Sequence, residues 1–424
     1  MELLTYILQS LASIIIEPYM IVILVILAII FYTKNKRVCL IQNMIIGERM
    51  NSPMELTLSQ IVMGLIAGIV ASIVLTFLGV VFKDNSEIQY LFFISILLMF
   101  ANPRFICFSY SGAILALVSL LLNNSGNTDI INIDILSLMT FIGVLHIIEG
   151  FLVMVDGSRG ATPVFSNRNN KIIGGFSFNR NWAIPLTILI AFTAVSTDSV
   201  ATQTIATPGW WPLIRNEDIL NIINTLSISL ISFVGVIGYS SISFTKCKKE
   251  KAVSSGIFIL GYGFILCLVA QLTRFGLYGK LFVTFFAPLA HEGMIRIQRV
   301  IENTRKPLFV SDDEGIAVLD VLNNSNGFSC GLRSGDKIIE INDVKMLSEK
   351  QVYEMVRDQV GSLKIKIKSK KQEIKELTLN RDRSLGFGVV LVPKIIGENK
   401  VMKFNQNNFK DILDNVIDKK EDDE

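Results

Sequence analysis

Long apolar blocks dominate the first 295 residues of this chain, and they constrain its fold more than any other feature. A membrane-spanning helix needs about 20 consecutive, mostly apolar residues. Of the 424 residues, 51% are hydrophobic and 18% are charged, whereas soluble domains carry about 25% charged residues. From residue 296 the chain becomes rich in Lys, Glu and Asp. This segregation predicts a membrane domain followed by a soluble one.

The apolar blocks predict about eight to ten membrane helices over residues 1–295. The candidate spans are 17–33, 58–82, 88–101, 105–122, 135–155, 182–195, 219–243 and 254–273, with a shorter block at 281–295 and a doubtful insertion in the first ten residues. Lys and Arg concentrate at 34–57, 156–181 and 244–253, which the positive-inside rule assigns to the cytoplasm. If the 281–295 block crosses the membrane, the tail that follows it is cytoplasmic too.

Charge and cysteine content exclude several classes of protein. The net charge of +3 is too small to indicate a nucleic-acid partner. The five cysteines form no C-x-x-C pair, which argues against a disulfide framework or a zinc knuckle. We therefore expect no cofactor and no nucleic acid, and we expect the membrane and other proteins as partners.

The stretch FAPLAHEGMI resembles the start of a zinc peptidase motif. Two His residues at positions i and i+4 bind zinc in that motif, with Glu as general base. Here Ile295 stands four residues after His291, and the only other histidine, His146, lies in a distant predicted span. The sequence therefore predicts no metal site and no catalytic residues, and it assigns His291 and Glu292 to the membrane boundary.

A second polar pair lies inside a predicted span. His146 and Glu149 are one helical turn apart, and ionisable residues within a span are functional candidates by default. The alternative is a hydrogen-bonded pair that fixes helix packing. The sequence favours the packing role.

The tail has the pattern of a small α+β domain. Alternating β-branched residues predict strands at 315–321 and 337–343, and a polar sequence with an apolar face predicts a helix at 347–359. Two further strands follow at 362–370 and 372–379, as a hairpin. The segment 296–306 is predicted as a linker, and 394–424 as a short amphipathic helix with an acidic tail.

The stretch GLRSGDKIIEIND resembles the GL-x-x-GD signature of bacterial PDZ domains, and the order of elements over 307–393 is similar as well. The matching turn residues are Gly331, Leu332, Gly335 and Asp336. The fold class is thus a polytopic α-helical membrane domain followed by a small PDZ domain. The resemblance implies that an extended peptide binds as an added strand, with its C-terminal carboxylate on backbone amides.

The same resemblance implies a peptide groove between strand 315–321 and helix 347–359. Its expected wall residues are Ile316, Val318, Val352 and Met355. The carboxylate loop is expected at Leu308, Phe309 and Val310, because that segment precedes the strand. The stretch SLGF at 384–387 is the alternative, although it comes last in the chain.

The whole layout is similar to that of the MinJ family of Gram-positive bacteria. Several spans, WWP in an outer loop and FAPLAHE running into KPLFV and VLDV carry this resemblance. It implies a non-catalytic cell-membrane scaffold in division-site selection, at the septum and poles, with DivIVA-like and MinD-like partners. Two other classes stay open: a membrane-embedded protease with a substrate-selecting PDZ domain, and a transporter with a regulatory one.

Overall fold

A computed structural model describes residues 5, 7–9, 12 and 16–394, with gaps at 48–49, 84–85, 102, 126–130, 169–170, 193–209, 215–226, 359–360, 381 and 383–384. Its long helices are α1 Pro18–Ile46, α2 Pro53–Leu78, α3 Gln89–Ala101, α4 Phe108–Asn124, α5 Ile135–Asp156, α6 Lys248–Ala270 and α7 Gly276–Thr304. Short 3-10 helices precede α4 and α7, at Pro103–Ile106 and Gln271–Phe275. The predicted tail helix beyond 394 lies outside the described residues.

Four helical segments are long and apolar enough to cross a membrane. They are Pro18–Ile45, Pro53–Leu78, Ile135–Asp156 and Lys248–Thr304. The last of these comprises α6 and α7, which are separated by the 3-10 helix and by Gly276 at φ 75°. The helices α3 and α4 are shorter. Helices therefore occupy seven of the predicted apolar blocks, and the chain has the character of a membrane protein.

The predicted helices at 182–195 and 219–243 are wrong, because the described parts of both segments are β-strands. The strands of this region are β1 Val81–Lys83, β2 Thr162–Arg168, β3 Lys171–Phe192 and β4 Ser227–Ser243. Strands β3 and β4 pair antiparallel from Phe176–Ser243 to Phe192–Ser227. An apolar run alone does not distinguish a buried strand from a helix. The β-branched and aromatic content of 219–243 was the signal that favoured a strand.

The edge of β3 that faces away from β4 is covered along most of its length. Strand β2 pairs antiparallel with residues 171–177, and β1 pairs parallel with residues 189–191. Between these two strands, helix α2 packs against β3. Unpaired backbone groups are costly in a hydrocarbon layer, where no water replaces a missing partner. Helix and strands together therefore make it possible for this sheet to lie beside a candidate span.

Small residues on α2 allow the helix to reach the backbone of β3. A Cβ atom on Gly64 would lie 2.0 Å from the carbonyl oxygen of Ala183, and one on Gly68 would lie 2.1 Å from that of Pro185. One turn further on, the hydroxyl of Ser72 accepts a hydrogen bond from the N–H of Thr187 at 2.9 Å. Pro185 has no N–H group. At this position an N–H would point toward α2, so its absence removes no hydrogen bond between β3 and β4.

Helix α7 is longer than the sequence suggested. It runs from Gly276 to Thr304 with Pro288 inside it, so most of the predicted 296–306 linker is helical. The short block at 281–295 is consequently the middle of a 29-residue helix. The polar residues after 295 extend the helix beyond the apolar bundle, which the hydropathy pattern alone did not reveal.

The C-terminal region is rich in sheet. Its elements are β6 Ile316–Val321, α8 Asn326–Ser329, β7 Lys337–Ile341, β8 Val344–Lys345, α9 Glu349–Asp358, β9 Ser362–Lys368, β10 Ile374–Asn380 and β11 Val389–Leu391. We refer to residues 316–394 as the C-terminal domain. Its sheet has the order β10-β9-β7-β6-β11, with β8 paired to β7. Helix α9 covers the sheet through Val352 and Val356, which lie in the domain's own apolar core.

The C-terminal domain is docked on the membrane domain. Strands β2 and β3 form a hairpin, and Leu319 and Val392 contact it at Gly174. A Cβ atom on Gly174 would lie 2.8 Å from a methyl group of Val392. Two ion pairs join the domain to the start of α6: Lys248 with Asp320 at 2.7 Å, and Lys370 with Glu250. One apolar cluster therefore continues from the helices into the outer face of β6 and β11.

Substituting Gly64 tests the close approach of α2 and β3. We expect Gly64→Ala to destabilise the protein by about 1–3 kcal/mol, because its Cβ atom would meet a backbone oxygen that cannot rotate away. Gly261→Ala is the matched control, since nothing lies within 4 Å of the Cβ position in the middle of α6. Thermal unfolding in detergent measures both. Equal melting temperatures for the two variants would contradict the packing described here.

A cross-link tests the docking of the C-terminal domain. The Oγ atom of Ser334 lies 3.8 Å from the Sγ atom of Cys247, so we expect Ser334→Cys to form a disulfide under mild oxidation. Burial raises the pKa of the Cys247 thiol, although Lys370 partly opposes this. The cross-link should therefore form faster as the pH rises and the thiolate fraction grows. Mass spectrometry detects the linked peptides, and adding Cys247→Ser removes them. Their absence at every pH would show that the domain is not docked.

Candidate functional site

The segment predicted as the carboxylate loop is not part of a groove, and this prediction is wrong. Phe309 and Val310 form the short strand β5, which pairs with residues 173–174 of β3. Leu308 donates its N–H to the carbonyl oxygen of Phe244 at 2.9 Å. The ring of Phe309 is fully buried and meets the edge of Phe176 at 5.5 Å. These residues anchor the C-terminal domain to the hairpin.

The predicted groove beside β6 is closed. Strand β6 pairs with β7 on one side and with β11 on the other, so neither edge accepts another strand. Ile316, Val318 and Val352 are completely buried in the domain core, and Met355 packs against that core. The four predicted wall residues therefore serve the domain's packing, since β11 occupies the place expected for a peptide.

The two edge strands of this sheet are β10 and β11, and the edge of β11 lies beside helix α9. The hydroxyl of Tyr353 on α9 donates to the carbonyl oxygen of Val389 at 2.9 Å, and it accepts from the N–H of Leu391 at 3.2 Å. These two backbone groups point away from β6, in the positions that a residue of an added strand would bond. A single side chain thus replaces a partner strand. The segment before β11 is the end of SLGF, the alternative loop.

The GL-x-x-GD stretch forms a turn between α8 and β7. Gly331 and Gly335 have φ values of 104° and 97°, a region that side chains rarely adopt. A carboxylate oxygen of Asp336 accepts from the N–H of Arg333 at 2.9 Å, and Leu332 is buried in the core. A Cβ atom at either glycine would have room, because the nearest atoms would lie 3.4 Å away or more. The positive φ values, and not a lack of space, therefore favour glycine at both positions.

The two histidines of the chain lie together inside the helix bundle, so their predicted separation is wrong. His146 on α5 and His291 on α7 are buried, with ring centroids 5.6 Å apart. Cys107, just before α4, completes a group whose ligand atoms all lie within 4.8 Å of one another. His291 therefore does not mark a membrane boundary. Three helices packed side by side bring these residues together, which one sequence without its contacts could not indicate.

A hydrogen bond to a backbone carbonyl sets the tautomer of the His146 ring. Its Nδ1 atom lies 2.8 Å from the carbonyl oxygen of Ile142, which can only accept, so Nδ1 carries the proton. The lone pair of Nε2 then points to the Sγ atom of Cys107 at 3.1 Å. Ser109 is also 3.5 Å from Nε2, but its proton has another acceptor. Ser109 donates this proton to the hydroxyl oxygen of Tyr262 at 2.8 Å, and Tyr262 donates its own proton to the carbonyl oxygen of Ala287.

His291 is oriented by a separate chain of polar groups. The hydroxyl of Tyr110 donates to the carboxylate of Glu292 at 3.2 Å, and Nδ1 of His291 lies 3.4 Å from the same hydroxyl. Glu292 also pairs with the exposed Arg296 at 3.3 Å. Glu149, predicted to share a helix face with His146, is half-buried on α5. Each histidine is thus followed closely in the sequence by a glutamate, His146 by Glu149 and His291 by Glu292.

Asp156 has a structural role at the end of α5. Its carboxylate accepts from the guanidinium of Arg180 at 3.1 Å and from the indole N–H of Trp182 at 2.8 Å, both on β3. Ser59 on α2 donates to it at 2.8 Å. Asp156 and Arg180 are each almost fully buried. This carboxylate joins the end of a helix to the sheet through Arg180, Trp182 and Ser59.

Comparisons with known proteins give no family for this chain. No protein-family model matches it. A search of curated proteins and a search of solved structures also found no match.

The pair of Arg180 and Asp156 should be indispensable for stability. We expect Arg180→Met to cost about 3–5 kcal/mol, because it leaves a buried carboxylate without its cation. Arg159 contacts the same carboxylate at 3.5 Å but is half-exposed, so Arg159→Met should cost less than about 1 kcal/mol. Thermal unfolding of the two variants provides the comparison. A larger loss for Arg159→Met would refute this assignment.

Proposed function

We propose that the chain is a non-catalytic membrane scaffold that recruits protein partners through its C-terminal domain, a PDZ domain on the cytoplasmic side. The observation that carries the proposal is the open edge of β11 beside α9. The order of elements and the positive-φ turn of the GL-x-x-GD stretch support the PDZ assignment. In such domains an extended peptide adds a strand next to a helix.

The proposed binding site differs from the one that the sequence favoured. A peptide would pair with β11 through Val389 and Leu391, and its end would lie near segment 385–387, the remainder of the SLGF alternative. The hydroxyl of Tyr353 occupies these two backbone groups, so a peptide must displace it. Pairing at a free strand edge explains how a domain that is docked at its other face still binds partners.

The position of the domain supports a cytoplasmic orientation. The Lys-rich segment 244–253 contacts it directly, through Cys247, Lys248 and Glu250. Both therefore lie on one side of the bundle, and the positive-inside rule assigns this segment to the cytoplasm. The resemblance to the MinJ family adds division-site selection as the cellular role, with DivIVA-like and MinD-like proteins as proposed partners at the septum and poles.

Removing the hydroxyl group of Tyr353 tests the peptide site. We expect Tyr353→Phe to increase the affinity for peptides about 5-fold, because the peptide no longer competes with a hydrogen bond worth about 1 kcal/mol. Leu391→Pro should abolish binding, since it removes the N–H at the open edge. The full-length protein in nanodiscs is applied to an immobilised library of random heptapeptides with free C-termini, and bound protein is measured.

Two controls complete this test. Lys364→Ala changes an exposed residue of β9 that pairs with Glu376, and it should bind peptides as the unchanged protein does. Amidated peptides separate capture of the C-terminal carboxylate from strand addition alone. Equal peptide retention by Tyr353→Phe, Leu391→Pro and the unchanged protein would refute the site. A fluorescent fusion spread evenly over the membrane would refute the division role.

A further inference from the structure

We propose that Cys107, His146 and His291 form a binding site for a divalent transition metal ion, with Zn²⁺ as the first candidate, inside the helix bundle. Their ligand atoms all lie within 4.8 Å of one another. The site is independent of the peptide edge on β11, and it includes both histidines of the chain.

The first argument is the direction of the lone pairs. The proton on Nδ1 of His146 is held by the carbonyl oxygen of Ile142. This arrangement is typical of metal-bound histidines, whose second nitrogen donates to a carbonyl or carboxylate group and so fixes the ring. Nε2 is left with a lone pair directed at Cys107. His291 has a corresponding support in the hydroxyl of Tyr110, which links it to Glu292.

The second argument concerns the proton between Cys107 and His146. Ser109 gives its proton to Tyr262, and Tyr262 gives its own to Ala287. Among the described neighbours of Nε2, the thiol of Cys107 is therefore the donor, over 3.1 Å. A metal ion that displaces this proton would have a thiolate and an imidazole as its first two ligands. Binding would release one proton from the thiol.

The third argument is size and ligand type. Zinc bonds of about 2.3 Å to sulfur and 2.0–2.1 Å to nitrogen, at a tetrahedral angle, place these atoms about 3.5 Å apart. The observed 3.1 Å needs to widen by only a few tenths of an ångström. Thiolate and imidazole favour zinc and copper over Mg²⁺ and Ca²⁺, which prefer oxygen. Three protein ligands leave a fourth position open, as in catalytic zinc sites.

Metal content and the spectrum of a cobalt-loaded form test this site. The full-length protein is purified in detergent, stripped with a chelator, reloaded with Zn²⁺ or Co²⁺ and dialysed. We expect one ion per chain by elemental analysis, and a thiolate-to-cobalt charge-transfer band in the near ultraviolet. Cys107→Ser should remove that band, and His146→Gln or His291→Gln should reduce the bound metal at least 10-fold.

The matched control is a second thiol of the same bundle. Cys267 on α6 lies 3.8 Å from the carbonyl oxygen of Thr140 and outside the group, so Cys267→Ser should keep both the metal and the band. Added Zn²⁺ should raise the melting temperature of the unchanged protein and of Cys267→Ser, but not that of the three ligand variants. A cooperative melting transition in each case also shows that the variant is folded.

Two results would overturn the proposal. One is less than 0.1 ion per chain in the reloaded unchanged protein, on the order of the reduction expected for a lost ligand. The other is equal metal binding by the ligand variants and Cys267→Ser. Either result would mean that the group is a hydrogen-bonded contact between helices. Neither result would affect the peptide test at β11.

Discussion

The contact between helix α2 and strand β3 is the interaction on which the rest of the structure depends. A sheet edge beside a membrane helix needs partners for its backbone groups. Gly64 and Gly68 let the helix reach that edge, and Ser72 supplies a hydrogen-bond acceptor. Every other connection of β3, to β1, β2, β4 and β5, requires the strand to be held in this position.

Buried polar contacts then define how the helices meet the sheet. Asp156 receives bonds from α2 and from β3, so it sets the end of α5 against both. The outer face of the C-terminal domain covers the start of β3 at Gly174. The domain is therefore part of the same packed structure, and deleting it would expose apolar surface on the membrane domain as well as remove a binding site. Point substitutions at Tyr353 or Leu391 separate these two effects.

Local patterns in the sequence predicted the local structure well. Seven apolar blocks are helices, and the strands and helix of 315–379 lie where alternation and the apolar helix face predicted them. Apart from the linker 296–306, whose polar residues continue α7, the failures involve contacts between distant segments. The apolar runs at 182–195 and 219–243 had the composition of spans, but their described parts pair with each other as strands, and β3 packs against α2. Likewise, the position of Phe309 is decided by β3, which lies more than a hundred residues earlier.

In the candidate sites, too, local features were predictable from the sequence and contacts between distant segments were not. The GL-x-x-GD turn was predictable, because positive-φ glycines leave a mark in the sequence. The open edge on β11 was not, since the last strand of the domain takes the place next to β6 that was expected for a peptide. The convergence of Cys107, His146 and His291 was also hidden. They lie on three segments, and their spacing in the chain contains no motif.

The length of β3 has a structural consequence. At about 3.3 Å per residue, its 22 residues extend over roughly 70 Å. One end pairs with β1, after the far end of α2, and the other end pairs with β5 at the entrance to the C-terminal domain. A slip of one residue would turn every side chain of the strand to the opposite face. The strand is therefore held in one register over its whole length, which links the position of β1 to that of β5 at the entrance to the C-terminal domain.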